Sequence, residues 1–140
     1  VVVHCREAFA DLLPVLRRSS LDPASFVFHC FTGTPDEARA VLDFGACISF
    51  TGVVTYRNAR DVQDAARLVP LDRIMVETDA PFLSPEPKRG VRPCEPWMAS
   101  VTAKSLAATR GVTLDALLDT VNRTTESFFG IRVPAPGAAS

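Results

Sequence analysis

The sequence predicts an α/β fold built on a parallel sheet. Two observations carry that reading. Four short, near-continuous apolar runs, Val1–His4, Phe26–Phe31, Cys47–Phe50 and Ile74–Thr78, look like strands covered on both faces. The segments between them repeat apolar residues at helical spacing, so βα units follow one another at intervals of about 25 residues, which calls for a parallel sheet with right-handed crossovers. Such units suit an open doubly wound sheet or half of a closed barrel, and spacing alone does not choose between them.

Each helix has its own signature. Phe9, Leu12, Leu13 and Leu16 fall at i, i+3, i+4 and i+7. The second helix repeats the pattern with Ala38, Val41 and Leu42, and it is punctuated at both ends. Thr34 caps it, Pro35 takes the first helical position, Glu37 completes a capping box, and Gly45 supplies a left-handed C-terminal residue. Val62, Ala65, Ala66 and Val69 mark the third. After the fourth strand comes a long loop, 79–95, containing Pro81, Pro85, Pro87 and Pro93, and a loop of that length inside a compact domain is usually functional. A helix is expected from near Pro96 to Arg110, stopped by Gly111. Another begins at a Thr113 cap with Leu114, Leu117, Leu118 and Val121 in register, and a last short turn ends at Gly130. Residues 1–132 read as one domain and 133–140 (VPAPGAAS) as a flexible tail.

Composition excludes some classes. The 140 residues are 47% hydrophobic and 22% charged, as in a globular domain rather than a disordered chain. The formal net charge of −1 neither requires nor forbids nucleic acid, so any such binding needs a local basic patch. No apolar run reaches the roughly 20 residues of a membrane helix, and no signal-peptide pattern is present. Cys5, Cys30, Cys47 and Cys94 form no CxxC pair and read as free thiols, which points to a cytoplasmic protein. The chain opens inside an apolar run without an initiator Met, so N-terminal truncation is expected.

The polar residues locate the chemistry. His4 ends the first strand, His29 lies near the end of the second, and Asp79 follows the fourth. In parallel α/β folds the C-terminal strand ends open onto one face, which carries the active site. Two imidazoles and a carboxylate converging there suit a divalent cation such as Zn²⁺ or Mn²⁺. Singly, each residue is as well read as structure, a hydrogen-bonded His or a turn-capping Asp, and the case rests on their conjunction. Thr32-Gly33 and Thr51-Gly52 put small residues where backbone approaches a ligand or turns sharply. Lys88, Arg89 and Arg92 in the long loop, with Arg57 and Arg60 after the third strand, are expected to rim the same face and favour a phosphate-bearing substrate. No aromatic interleaving points to stacking on single-stranded bases, with Tyr56 or Phe82 the exceptions open to such a role.

Taken in order, HCREA at 4–8, HCFTG at 29–33, SFTG at 49–52, ETDAP at 77–81 and NRTTESFFGI at 122–131 resemble the TatD family of metal-dependent deoxyribonucleases. The resemblance spans His4 to Ile131. It implies the C-terminal half of an amidohydrolase-like (β/α)8 TIM barrel, about four parallel strands with flanking helices, and hydrolysis of DNA phosphodiester bonds with two divalent ions (Mg²⁺, Mn²⁺ or Zn²⁺). It assigns His4 and His29 to one metal and Asp79 to the other, with Asp79 also acting on the attacking water. Arg6 and Glu77 become substrate-binding or supporting groups beside Lys88, Arg89 and Arg92. Two departures stand out. The family's HxH pair and further Glu ligand are absent from this sequence, and Cys94 in Arg92-Pro93-Cys94-Glu95-Pro96 occupies the place of an expected Asn. The ligand shortage implies that the chain alone is inactive. The rival readings are an amidohydrolase acting on another ester or amide bond, and a non-catalytic half-barrel remnant.

Overall fold

A computed structural model describes residues 1–132; the segment read as a flexible tail, 133–140, lies outside them. The four expected strands form as β1 (Val2–His4), β2 (Val27–His29), β3 (Cys47–Phe50) and β4 (Ile74–Val76). They make one sheet in sequential order β1-β2-β3-β4, every pair parallel. Three strands are shorter than their apolar runs, β1 by Val1 alone. β2 stops at His29 because Cys30 turns to a φ of 47°, outside strand geometry. β4 stops at Val76, although the Glu77 amide still donates to Phe50 O at 3.1 Å.

The helices are α1 (Phe9–Arg17), α2 (Pro35–Phe44), α3 (Arg60–Leu68), α4 (Ala99–Arg110) and α5 (Leu114–Phe129), with a 3₁₀ turn at Pro96–Met98 leading into α4. The capping box on α2 forms with both of its bonds, and Gly45 adopts the left-handed conformation at φ 109°. α5 corrects the expected break before Gly130. It runs unbroken to Phe129, because no Gly or Pro interrupts 114–129, and Thr120 and Thr124 return their hydroxyls to the carbonyls of Ala116 and Thr120.

Strand parity divides the sheet. Val3, Phe28, Ile48, Phe50 and Ile74 point to one side and join Phe9, Leu13, Val41, Ala65, Leu106 and Leu117 from all five helices in the main core. Burying each large side chain contributes about 1.5–3 kcal/mol, so this layer supplies most of the driving force. The opposite side carries Val27, Cys47 and Met75, packed only by Phe128 near the end of α5. Sequential parallel strands with the main helical layer on one side form the arc of a barrel wall, and β1 and β4 each pair on one edge only. No described helix is long and apolar enough to cross a membrane.

Candidate metal centre

β1 and β2 pair with His4 directly opposite His29. Residues opposite each other on parallel strands project to the same side, so register alone brings the two imidazoles together. His4 Nδ1 and His29 Nε2 are 3.0 Å apart, with ring centroids 5.2 Å apart. Both rings stand at the C-terminal strand ends. His4 is exposed, and His29 is half-buried.

Glu77 stands behind His29. Its Oε1 is 3.6 Å from His29 Nδ1 and accepts the Cys30 amide at 2.6 Å. At 3.6 Å the contact is longer than a hydrogen bond, but it sets a carboxylate beside Nδ1 while Nε2 faces His4, the side of the ring from which metal-binding histidines are supported. Glu77 therefore approaches His29 and is not among the residues lining the cavity over the strand ends.

That cavity, about 650 Å³, opens over the strand ends. His4, Cys30, Asp79, Arg6 and Arg92 line it, with Gly33, Glu37, Val53 and Phe82. Asp79 thus shares one cavity with His4, and no described residue makes an ion pair or hydrogen bond to its carboxylate. His29 reaches the cavity through His4, and its own side lies in a small hollow on the inner face beside Ser49, Met75 and Glu77.

The basic patch divides. Arg6 and Arg92 line the cavity, while Lys88 and Arg89 do not. Lys88 Nζ sits 5.3 Å from the Trp97 ring centroid, and the Arg89 guanidinium lies 4.0 Å from that of Tyr56, bonded also to Asn58 Oδ1 at 3.4 Å. Arg57 and Arg60 are exposed and equally absent from the lining. Loop 79–95 therefore lays two of its cations on aromatic rings that do not line the cavity.

Two lining residues, Cys30 and Glu37, carried no functional reading in the sequence, whereas Gly33 was expected where backbone approaches a ligand or turns sharply. Cys30 is buried beside Thr51, its Sγ 3.5 Å from the Thr51 hydroxyl. Burial pushes its thiol above the ordinary value of 9.0, with the Thr51 bond pulling the other way and Asp79 and Glu77 adding to the rise. The HCFTG string flagged this position, but only its left-handed backbone turns the thiol into the cavity floor. Glu37, read as half of a capping box, forms that box and also faces the cavity. Gly33 is required by space, because a Cβ there would stand 2.8 Å from Glu37 Oε2 and 2.9 Å from the Phe31 ring. Gly52 answers to backbone instead of ligand, since its Cβ would lie 2.8 Å from Pro85 N.

With this geometry in place, the comparisons are specific. Residues 1–130 match the family model described as TatD related DNase. The chain belongs to the TatD family. It is 44% identical over 128 residues, 91% of this chain and 47% of the relative, to the uncharacterized metal-dependent hydrolase YcfH of Escherichia coli K12. It is 32% identical over 135 residues, 94% of this chain and 18% of the relative, to the human 3′-5′ RNA nuclease TATDN2. The crystal structure of YJJV, a TatD homolog from E. coli K12, superposes with a TM-score of 0.86 at 27% identity, covering 96% of this chain and 50% of that one. The chain spans about half the length of YcfH and YJJV.

The donor set fits a share of a metal site. Two imidazole nitrogens 3.0 Å apart, within hydrogen-bond reach of each other, are spaced as adjacent donors at roughly 90° around an ion with bonds of about 2.1 Å. Among the described residues, no group of three or more His, Cys, Asp or Glu side chains is gathered to hold an ion. The chain thus offers a nitrogen pair and a nearby carboxylate in place of a closed site.

Proposed function

We propose that this chain forms part of a divalent-metal-dependent hydrolase of phosphodiester bonds in nucleic acid, with DNA as substrate. The single observation that carries the reading is the register-paired His4 and His29, their ring nitrogens 3.0 Å apart at the mouth of a cavity that Asp79 shares. His4 and His29 would hold one ion and Asp79 would contribute to a second. Bound there, a divalent cation would polarise the phosphoryl oxygen and lower the pKa of water. The chain's own residues do the rest. Glu77 orients His29, the Asp79 carboxylate accepts the proton of the attacking water, and Arg6 and Arg92 hold the flanking phosphates. The buried free thiols and the absence of a membrane-spanning helix among the described residues support a cytoplasmic setting.

RNA is a second substrate to test, because the human relative is named an RNA nuclease. The experiment combines this chain with the separately produced part of YcfH that it does not match, and follows single-stranded DNA and RNA oligonucleotides with Mn²⁺ and with EDTA. Chelator-sensitive cleavage, lost in Asp79→Asn, is expected. Cleavage that ignores both the chelator and Asp79 would overturn the reading.

A further inference from the structure

Phe82 is the one aromatic side chain of the cavity wall with no partner. It is 57% exposed and lines the same cavity as His4, Asp79, Arg6 and Arg92. Tyr56 and Trp97, which do not line the cavity, each carry one cation over the ring, Arg89 and Lys88, whereas Phe82 makes no ring or cation contact among the described residues. An exposed ring on a floppy loop would be unremarkable, but this loop is tied down. The Phe82 amide donates to Asp79 O at 2.7 Å, and Cys94 N donates to Pro81 O at 2.9 Å. On its other side, Tyr56 OH donates to Ser84 O at 3.0 Å, and Ser84 Oγ donates to Val91 O at 2.6 Å. The backbone that carries the exposed ring is therefore held at a fixed place relative to Asp79, with two guanidinium side chains in the same cavity.

We propose that Phe82 is a stacking platform for the base next to the scissile phosphate. The inference rests on the nucleic-acid reading above. Every base has a π-face that an aromatic ring can cover without reading its sequence, and that face is available only when the base is out of a duplex stack. The flat, apolar, uncharged side chain suits the base, as Arg6 and Arg92 suit the phosphates.

The test is binding of the intact 140-residue chain, in EDTA so that nothing is cut, to a fluorescently labelled single-stranded DNA and to the same strand with an abasic residue at either end. Wild-type protein should bind the base-bearing strand more tightly than one of the abasic strands by roughly tenfold, the size of one base–aromatic stack. Phe82→Ala should remove that difference by weakening the base-bearing strand alone, and Phe82→Trp should retain it. Far-ultraviolet circular dichroism of both variants should match wild type. Salt-dependent binding that is equal for all strands, or unchanged in Phe82→Ala, would overturn the stacking role while the nucleic-acid reading stands. No binding of any strand would overturn both.

Discussion

Gly52→Ala probes how loop 79–95 is held over the strand ends. The added Cβ would stand 2.8 Å from Pro85 N and 3.0 Å from Pro85 Cα, and it would also press on Leu83 O. Ordinary contact begins at 3.4 Å, so the segment must recede by at least about 0.6 Å at Pro85 and further at Leu83. It cannot do so freely. Tyr56 OH grips Ser84 O at 3.0 Å, and Thr55 Oγ1 accepts the Glu86 amide at 2.8 Å, from the same turn that contains Gly52. Backbone meeting backbone is overpacking without a flexible side chain to yield, which costs about 1–3 kcal/mol. For a domain of this size that lowers the melting temperature by roughly 3–12 °C. The control lies in the same loop. A Cβ on Gly90 meets nothing within 4 Å, so Gly90→Ala should stay within about 0.5 kcal/mol of wild type. Urea denaturation of the three proteins reads the effect. If Gly52→Ala unfolds at the same midpoint as Gly90→Ala, the loop is not seated on that turn and the cavity built on it is wrong.

Asp79→Asn should leave the urea midpoint within about 0.5 kcal/mol of wild type while abolishing most metal-dependent cleavage in the combined assay, because its carboxylate holds no described structural partner. Arg6→Ala and Arg92→Ala should each reduce the salt slope of DNA binding by about one, measured by anisotropy, and Lys88→Ala and Arg89→Ala should change it less, since those cations rest on Trp97 and Tyr56. Leu117→Ala empties a fully buried site where α5 meets the core and should cost about 2–5 kcal/mol in chemical denaturation. Burial raises the Cys47 thiol above 9.0, against the pull of Arg73, and burial likewise raises Tyr56 above 10.0. Above about pH 9 the unfolded chain then loses these protons first, so stability, full below that pH, should fall as pH rises, and Cys47→Ser should flatten the decline.

The strands and the histidine pair were legible because their causes are local. A strand buried on both faces must be a short apolar run, and a parallel pair in register carries a strand-ending His onto its neighbour's. The α2 caps were legible for the same reason, since Thr34, Pro35, Glu37 and Gly45 act on backbone within a few residues. Loop 79–95 was not. Whether Arg89 reaches the cavity or lies on Tyr56 depends on the turn at 52–55, some thirty residues away in sequence, and periodicity holds no trace of it. Glu77 enters as a substrate-binding or supporting group through the family resemblance, and only the bend at Cys30, with φ 47°, turns that amide to its carboxylate. The unbroken α5 was missed because a run of Thr, Glu and Ser looks weak as helix until its hydroxyls are seen bonding back along the axis.

The claim on which the account depends is that His4 and His29 bind one divalent ion together. The chain has only these two histidines, so long-range ¹H–¹⁵N spectra of the imidazole rings report on nothing else. On titration with Zn²⁺ the account expects His4 Nδ1 and His29 Nε2 to shift together along one binding curve, with Glu77→Gln weakening the affinity by about tenfold. Ring nitrogens that stay unmoved in excess Zn²⁺, or that titrate independently, would contradict it.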